Sequence, residues 1–106
     1  MNRFVVLALV CFSAQALAAG DADSGRLKSQ ACAACHGPDG NSPTGPDFPR
    51  LAGQHYDYLL KALRDYKSGA RKNAIMGGQG AGLNPQDMAD LAAYYSSRKG
   101  SLGVIR

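Results

Sequence analysis

Outside its leading residues, this 106-residue chain has no stretch near the roughly 20 uninterrupted apolar residues that a membrane span requires. The one apolar run, Phe4 to Phe12, is too short and is followed by Ser13 and Gln15. With Arg3 before it and Ala16-Leu17-Ala18 after it, this run reads as an export signal over residues 1–18, leaving residues 19–106 as the mature domain with no membrane span. Dense basic stripes are also missing. The formal net charge is +4, and the cations are interspersed with aspartate, the only acid used. A nucleic-acid surface needs clustered cations interleaved with stacking aromatics, so nucleic acid is excluded as a partner. Cysteine is scarce: of three, Cys11 lies in the leader behind Val10, which is not the small residue expected before a lipid-modified cysteine, so only Cys32 and Cys35 remain. Strand patterns, repeats and low-complexity tracts are absent. A chain this short buries too little surface to be comfortably stable alone, so a disulfide, metal or cofactor is expected to staple it.

The patterns that are present are helical. The first runs from about Asp21 to Ala33, with Asp21 or Asp23 as N-cap and Leu27 and Ala31 on one face. Between Gly37 and Gly53, prolines at 38, 43, 46 and 49 forbid regular structure. A loop of that length in a small domain argues for a large ligand that it wraps. Tyr56, Leu59, Leu60, Leu63 and Tyr66 recur at helical spacing opposite Lys61, Arg64, Asp65 and Lys67, and Gly69 stands where a glycine C-cap belongs. Residues 74–83 hold four glycines around Met76, which reads as flexible backbone able to press against a neighbour. The last helix has Asn84 as N-cap, Pro85 at its first position, Asp87 as in a capping box, and Met88, Leu91, Ala92 and Tyr95 as its buried stripe, with Gly100 ending it.

The decisive segment is Cys32-Ala33-Ala34-Cys35-His36, which matches the Cys-x-x-Cys-His signature for covalent attachment of c-type haem. Two cysteines three apart lie about one helical turn from each other, so both sulfurs face one way and each can bond a former vinyl carbon of one porphyrin. The following histidine then supplies an imidazole to the iron. A large apolar face held by two thioethers replaces the core that the short chain cannot build. Other chemistries use the same residues. A Cys32–Cys35 disulfide suits an exported protein, a redox dithiol expects a βαβ context that this chain lacks, and a zinc site would need Cys32, Cys35, His36 and His55 to converge. Met76, a soft thioether in a glycine-rich loop, is the candidate for the sixth iron position, and a His/Met pair raises the reduction potential. Met88 and His55 are rivals, although Met88 is in phase with the core stripe and His55 opens a helix.

Four segments together resemble a class I c-type cytochrome, most closely one half of the two-haem periplasmic cytochromes c-four: CAACHGPDGNS at 32–42, FPRLAGQ at 48–54, YLLKALRDYKSGARKNAIM at 58–76 and LNPQDMADLAAYYSS at 83–97. The resemblance implies an all-α class I cytochrome c fold of three to four helices and long loops wrapped around one covalently bound haem c. It implies thioethers at Cys32 and Cys35 and axial ligands His36 and Met76. It further implies a hydrogen bond from the His36 ring to a proline carbonyl, best matched by Pro49 with Pro46 as the other choice, and a crossing of the first and last helices at Gly25 and Tyr94. The tail from Lys99 to Gly103 resembles the start of a linker to a second haem domain, yet no second Cys-x-x-Cys-His follows before Arg106. A two-haem relay would then need a homodimer.

Both axial positions filled by protein leave no room for substrate, which points away from an enzyme. The expectation is therefore a periplasmic one-electron carrier exchanging electrons with redox proteins such as a terminal oxidase, a quinol-cytochrome c reductase or a periplasmic dehydrogenase. Two alternatives use the same domain: an electron-transfer subunit of a larger oxidoreductase complex, and a haem sensor or peroxidase with an open sixth site. Lys61, Arg64, Lys67, Arg71 and Lys72 are expected either to form a basic rim for docking on acidic patches or simply to solvate a helix face.

Overall fold

The computed structural model describes residues 4, 5, 8, 19–100 and 102, so most of the leader, including the segment 9–18 that ends at the expected cleavage site, lies outside the described residues. Within the described part, five helices and no strands follow in order: α1 (Ala22–Lys28), α2 (Gln30–His36), α3 (Tyr56–Ser68), α4 (Ala74–Ala81) and α5 (Pro85–Ser97). The architecture is all-α, as the patterning implied. The single first helix of the sequence reading is two short ones, broken by a turn at Ser29, whose backbone N–H bonds back to the Gly25 carbonyl. Leu27 is 63% exposed, so the face turned inward there is carried by Gly25 and Ser29 instead.

α5 is the central element. Asn84 and Asp87 form a reciprocal capping box with Pro85 at the first helical position, satisfying N–H groups that a helix start leaves open. The helix ends at Ser97, short of Gly100, and Met88, Ala89, Asp90, Leu91, Ala92, Tyr94 and Tyr95 are buried along it. Leu59 of α3 joins Leu91, Ala92, Tyr94 and Tyr95 in one core cluster, with Leu60 and Leu63 packed on its edge.

α1 crosses α5 at Gly25, as expected. A Cβ there would lie 2.0 Å from the Asp90 carbonyl oxygen and 2.7 Å from the Tyr94 Cβ. Only glycine lets the two backbones come this close. The crossing is pinned by Asp90, which is 2% exposed. It accepts from the Asp21 backbone N–H at 2.8 Å, Lys28 Nζ at 2.6 Å and Gln86 Nε2 at 2.7 Å. Burial pushes the Asp90 carboxyl up, but these donors together outweigh it and hold the group below its ordinary value.

The glycine-rich stretch is a correction to the sequence reading: residues 74–81 are helical. Asn73 caps α4 by accepting from the N–H groups of Ile75 and Met76, each at 3.0 Å. Lys67 Nζ donates to the carbonyls of Ala81 and Leu83 beyond the last turn. Gly80 alone of the four glycines presses on a neighbour, its added Cβ falling 3.2 Å from the Lys67 backbone nitrogen.

Candidate functional site

α2 ends where the chemistry begins. Gly37 closes the helix at φ 84° and ψ 166°, a left-handed backbone angle that side chains resist, and turns the chain away directly after His36. The proline-rich segment that follows is ordered by its own hydrogen bonds. The Gly40 carbonyl accepts from Leu51 N at 2.9 Å, Thr44 N donates to the Cys35 carbonyl at 3.0 Å, and Gly53 N donates to the Tyr95 carbonyl at 3.0 Å. These ties bring Pro49 onto His36, whose Nδ1 lies 2.8 Å from the Pro49 carbonyl oxygen. A carbonyl only accepts, so Nδ1 is the donor in this contact and Nε2 is the ring nitrogen left for another partner. Phe48 meets the ring edge-on at 6.2 Å between centroids. The proline carbonyl that meets His36 is that of Pro49, not Pro46.

Cys32, Cys35, His36, Pro49 and Met76 all line one cavity of about 600 Å³. That volume is in the range of sites that enclose a sizeable organic ligand, about 300–1,000 Å³. Leu59, Leu63, Leu91 and Ala92 give the cavity apolar walls. His36 is 6% exposed, and the two cysteines are free, half-buried thiols. Burial pushes the Cys32 thiol above its ordinary value, partly countered by the adjacent Tyr95 hydroxyl. A protonated thiol is the reverse of the poised thiolate that a redox dithiol needs. His55 is exposed at the N-cap of α3 and outside the cavity. Among the described residues no cluster of His, Cys or acidic side chains is arranged to hold a bare metal ion, so the zinc arrangement has no ligand set. Met88 is buried and does not line the cavity either.

The donors assembled here are two thiols, an imidazole and a thioether on an apolar cavity, and this set suits a covalently held haem. One buried polar atom in the wall, the Tyr95 hydroxyl, has no hydrogen-bond partner among the described residues, as expected of a cavity whose ligand completes it. Sequence reasoning placed Tyr95 in the core stripe and missed its place on the cavity, because core and cavity residues share one helical period.

The expected basic rim is largely engaged within the fold. Lys61 pairs with Asp65, Lys67 holds the end of α4, and the Arg71 guanidinium lies 4.9 Å over the Tyr66 ring.

The family model described as Cytochrome c matches residues 22–99. The chain belongs to the cytochrome c family. Membership implies a covalently bound haem c, and the chain is homologous to one half of cytochrome c4. It is 48% identical to cytochrome c4 of Pseudomonas aeruginosa over 106 residues, covering 98% of this chain and 52% of that protein. It therefore spans about half the length of the cytochrome c4 relatives it matches. Cytochrome c-554(548) of Halomonas halodenitrificans is 44% identical over 84 residues, 76% of this chain and 100% of that one. A thiosulfate dehydrogenase electron acceptor of Thiomonas intermedia is 40% identical over 74 residues, 70% of this chain and 34% of that one. The crystal structure of reduced recombinant cytochrome c4 from Pseudomonas stutzeri superposes with a TM-score of 0.73 at 49% identity, over 78% of this chain and 48% of that one. No helix among the described residues is long and apolar enough to cross a membrane.

Proposed function

We propose that this chain is a periplasmic monohaem cytochrome carrying one electron at a time between redox proteins, and that it is not an enzyme. When bound, the haem supplies reversible one-electron chemistry at iron. Cys32 and Cys35 hold it through thioethers. His36 ligates through Nε2, oriented by the hydrogen bond to Pro49, and Met76 brings its sulfur from α4. The convergence of these residues from α2, the proline-rich loop and α4 on one apolar cavity is the observation that carries the reading.

Residues 1–18 serve as the export signal in this reading, and the domain from residue 19 onward works outside the cytoplasm. The protein's contribution is to hold two ligands nearly fixed across the redox change and to keep water and substrate from the iron. Optical spectra of purified holoprotein in both redox states, with carbon monoxide added to the reduced form, test the proposal. A weak sulfur-to-ferric-iron charge-transfer band that disappears in Met76→Ala, with no carbon monoxide binding by the wild type, supports the carrier. Ready binding by the wild type overturns it in favour of a sensor or peroxidase.

A second arrangement, service as the electron-transfer part of a larger oxidoreductase, is favoured by similarity to the electron acceptor of thiosulfate dehydrogenase and to a thiosulfate dehydrogenase structure from Marichromatium purpuratum. A dehydrogenase of that kind is thus one redox partner to test, by following reduction of the purified cytochrome at stoichiometric enzyme.

A further inference from the structure

Tyr95 has no task in the function proposed above. Its ring belongs to the core of α5 and it is 3% exposed. Its hydroxyl lies beside the Cys32 sulfur and the Ser29 hydroxyl, fully buried, yet makes no hydrogen bond of acceptable geometry among the described residues. A buried hydroxyl left unmatched carries its full desolvation penalty, so native structures seldom retain one. Ser29 Oγ gives its one hydrogen to the Arg26 carbonyl at 2.7 Å, so it can only accept from Tyr95, and the structure shows no such bond. Cys32 is a different kind of neighbour, because its chemistry changes on maturation. As a thiol it offers a weak donor and a weak acceptor. When its S–H adds across a vinyl group, the sulfur bonds to the inner carbon and the hydrogen goes to the outer carbon, with no oxidant consumed. The sulfur then keeps its lone pairs and has lost its only donor, which complements the donor beside it.

Resting on the haem attachment proposed above, we infer that Tyr95 is a positioning residue for Cys32: its hydroxyl donates a hydrogen bond to the Cys32 sulfur once that sulfur is a thioether, and fixes its orientation. Burial and the adjacent Cys32 keep the phenol protonated far above neutral pH, so the donor persists under all ordinary conditions.

A double-mutant cycle on the haem-loaded chain tests this, with Tyr95→Phe made in the wild type and in Cys32→Ala, whose haem is held by Cys35 alone. In the wild type Tyr95→Phe raises the unfolding equilibrium constant about five-fold. In the Cys32→Ala background, where the hydroxyl has lost its acceptor, the same substitution leaves that constant unchanged or lowers it. Equal losses in the two backgrounds, or coupling to Ser29→Ala in place of Cys32→Ala, overturn the inference. The reduction potential of Tyr95→Phe gives a second readout, in a variant that keeps the buried ring: loss of a donor on a haem-bound sulfur lowers it, and a potential equal to wild type overturns the inference even if Cys32→Ala fails to mature. Intact-mass measurement of the wild type comes first, because a chain without added tetrapyrrole defeats the attachment itself, whereas a loaded chain with no Tyr95–Cys32 coupling defeats only the role of Tyr95.

Discussion

Gly25→Ala adds one methyl group where none fits. Its Cβ would sit 2.0 Å from the Asp90 carbonyl oxygen, 2.6 Å from the carbonyl carbon and 2.7 Å from Tyr94 Cβ, whereas ordinary contact begins near 3.4 Å. Two of these three atoms are helical backbone and cannot swing aside, so α1 must back away from α5. Overpacking of this kind costs about 1–3 kcal/mol. The same retreat stretches the bond from Asp21 N–H to the Asp90 carboxylate, 2.8 Å in the native fold, and a hydrogen bond to a charged group contributes about 1.5–3 kcal/mol. Against this, alanine in place of glycine favours a helix by about 1 kcal/mol. The net expectation is a loss of about 3 kcal/mol, which lowers the guanidinium midpoint of the holoprotein by about 1 M. Gly78→Ala makes the same exchange within α4, where an added Cβ meets nothing within 4 Å, and should stabilise by about 0.5–1 kcal/mol. Guanidinium unfolding of both variants, followed by circular dichroism, measures the contrast. A Gly25→Ala protein as stable as wild type would refute the close backbone crossing.

Other sites give further expectations. Asp90 is held below its ordinary value, so its contribution to stability is fully present above the unfolded-state value of about 3.9 and is lost as pH falls through the lower folded-state value. The stability difference between wild type and Asp90→Asn should therefore be constant near neutrality and shrink below about pH 4. A difference that does not change down to pH 2 contradicts the role given to Asp90. Asn73→Ala removes the cap on α4 and should cost about 1 kcal/mol. Because that cap bonds the Met76 N–H itself, the substitution should also speed displacement of Met76 from the ferric iron by added imidazole by about five- to ten-fold, the equivalent of that same free energy. An unchanged rate would mean that α4 is held in place without its cap. Met76→Ala should bind carbon monoxide and have a reduction potential below wild type; a variant that keeps the wild-type potential would move the sixth ligand elsewhere.

What could be read from the sequence was local chemistry. The Cys-x-x-Cys-His spacing lies within one helical turn, the Asn84 and Asp87 box is completed within four residues, and the α5 stripe follows from a single period. Each depends on near neighbours alone. α4 did not show itself because glycine disfavours helix by about 1 kcal/mol per residue, and what offsets that penalty is tertiary. Lys67 reaches the carbonyls past its last turn from another helix, and Gly80 lies against the Lys67 backbone. Asn73 ahead of Ile75 and Met76 was the one sequence signal for it. The break at Ser29 has no glycine or proline to announce it; it allows Gly25 to meet Asp90 while Cys32 and His36 reach the cavity. The pairing of His36 with Pro49 is the opposite case, in which a family resemblance identified a contact that thirteen residues of irregular loop would have concealed.

The cavity and the core are not separate features. Of the five buried residues in the core cluster, Leu59, Leu91, Ala92 and Tyr95 also line the cavity, leaving only Tyr94 wholly behind it. Apolar side chains that face an opening of about 600 Å³ have no packing partners on that side and forfeit those contacts, so the chain alone has half a core. A domain of this size has little stability to spare. The Cys32→Ala/Cys35→Ala double substitution, which removes both attachment points and leaves the five buried side chains of the core cluster unchanged, should therefore yield a chain lacking a cooperative unfolding transition and most of its helical circular dichroism. Haem added back without covalent attachment should restore part of both, because filling the cavity rather than forming the thioethers completes the core. A double variant that unfolds cooperatively with native helicity and no haem would show that α3 and α5 are self-sufficient, and the cavity would then be a site set on a finished fold rather than its missing centre.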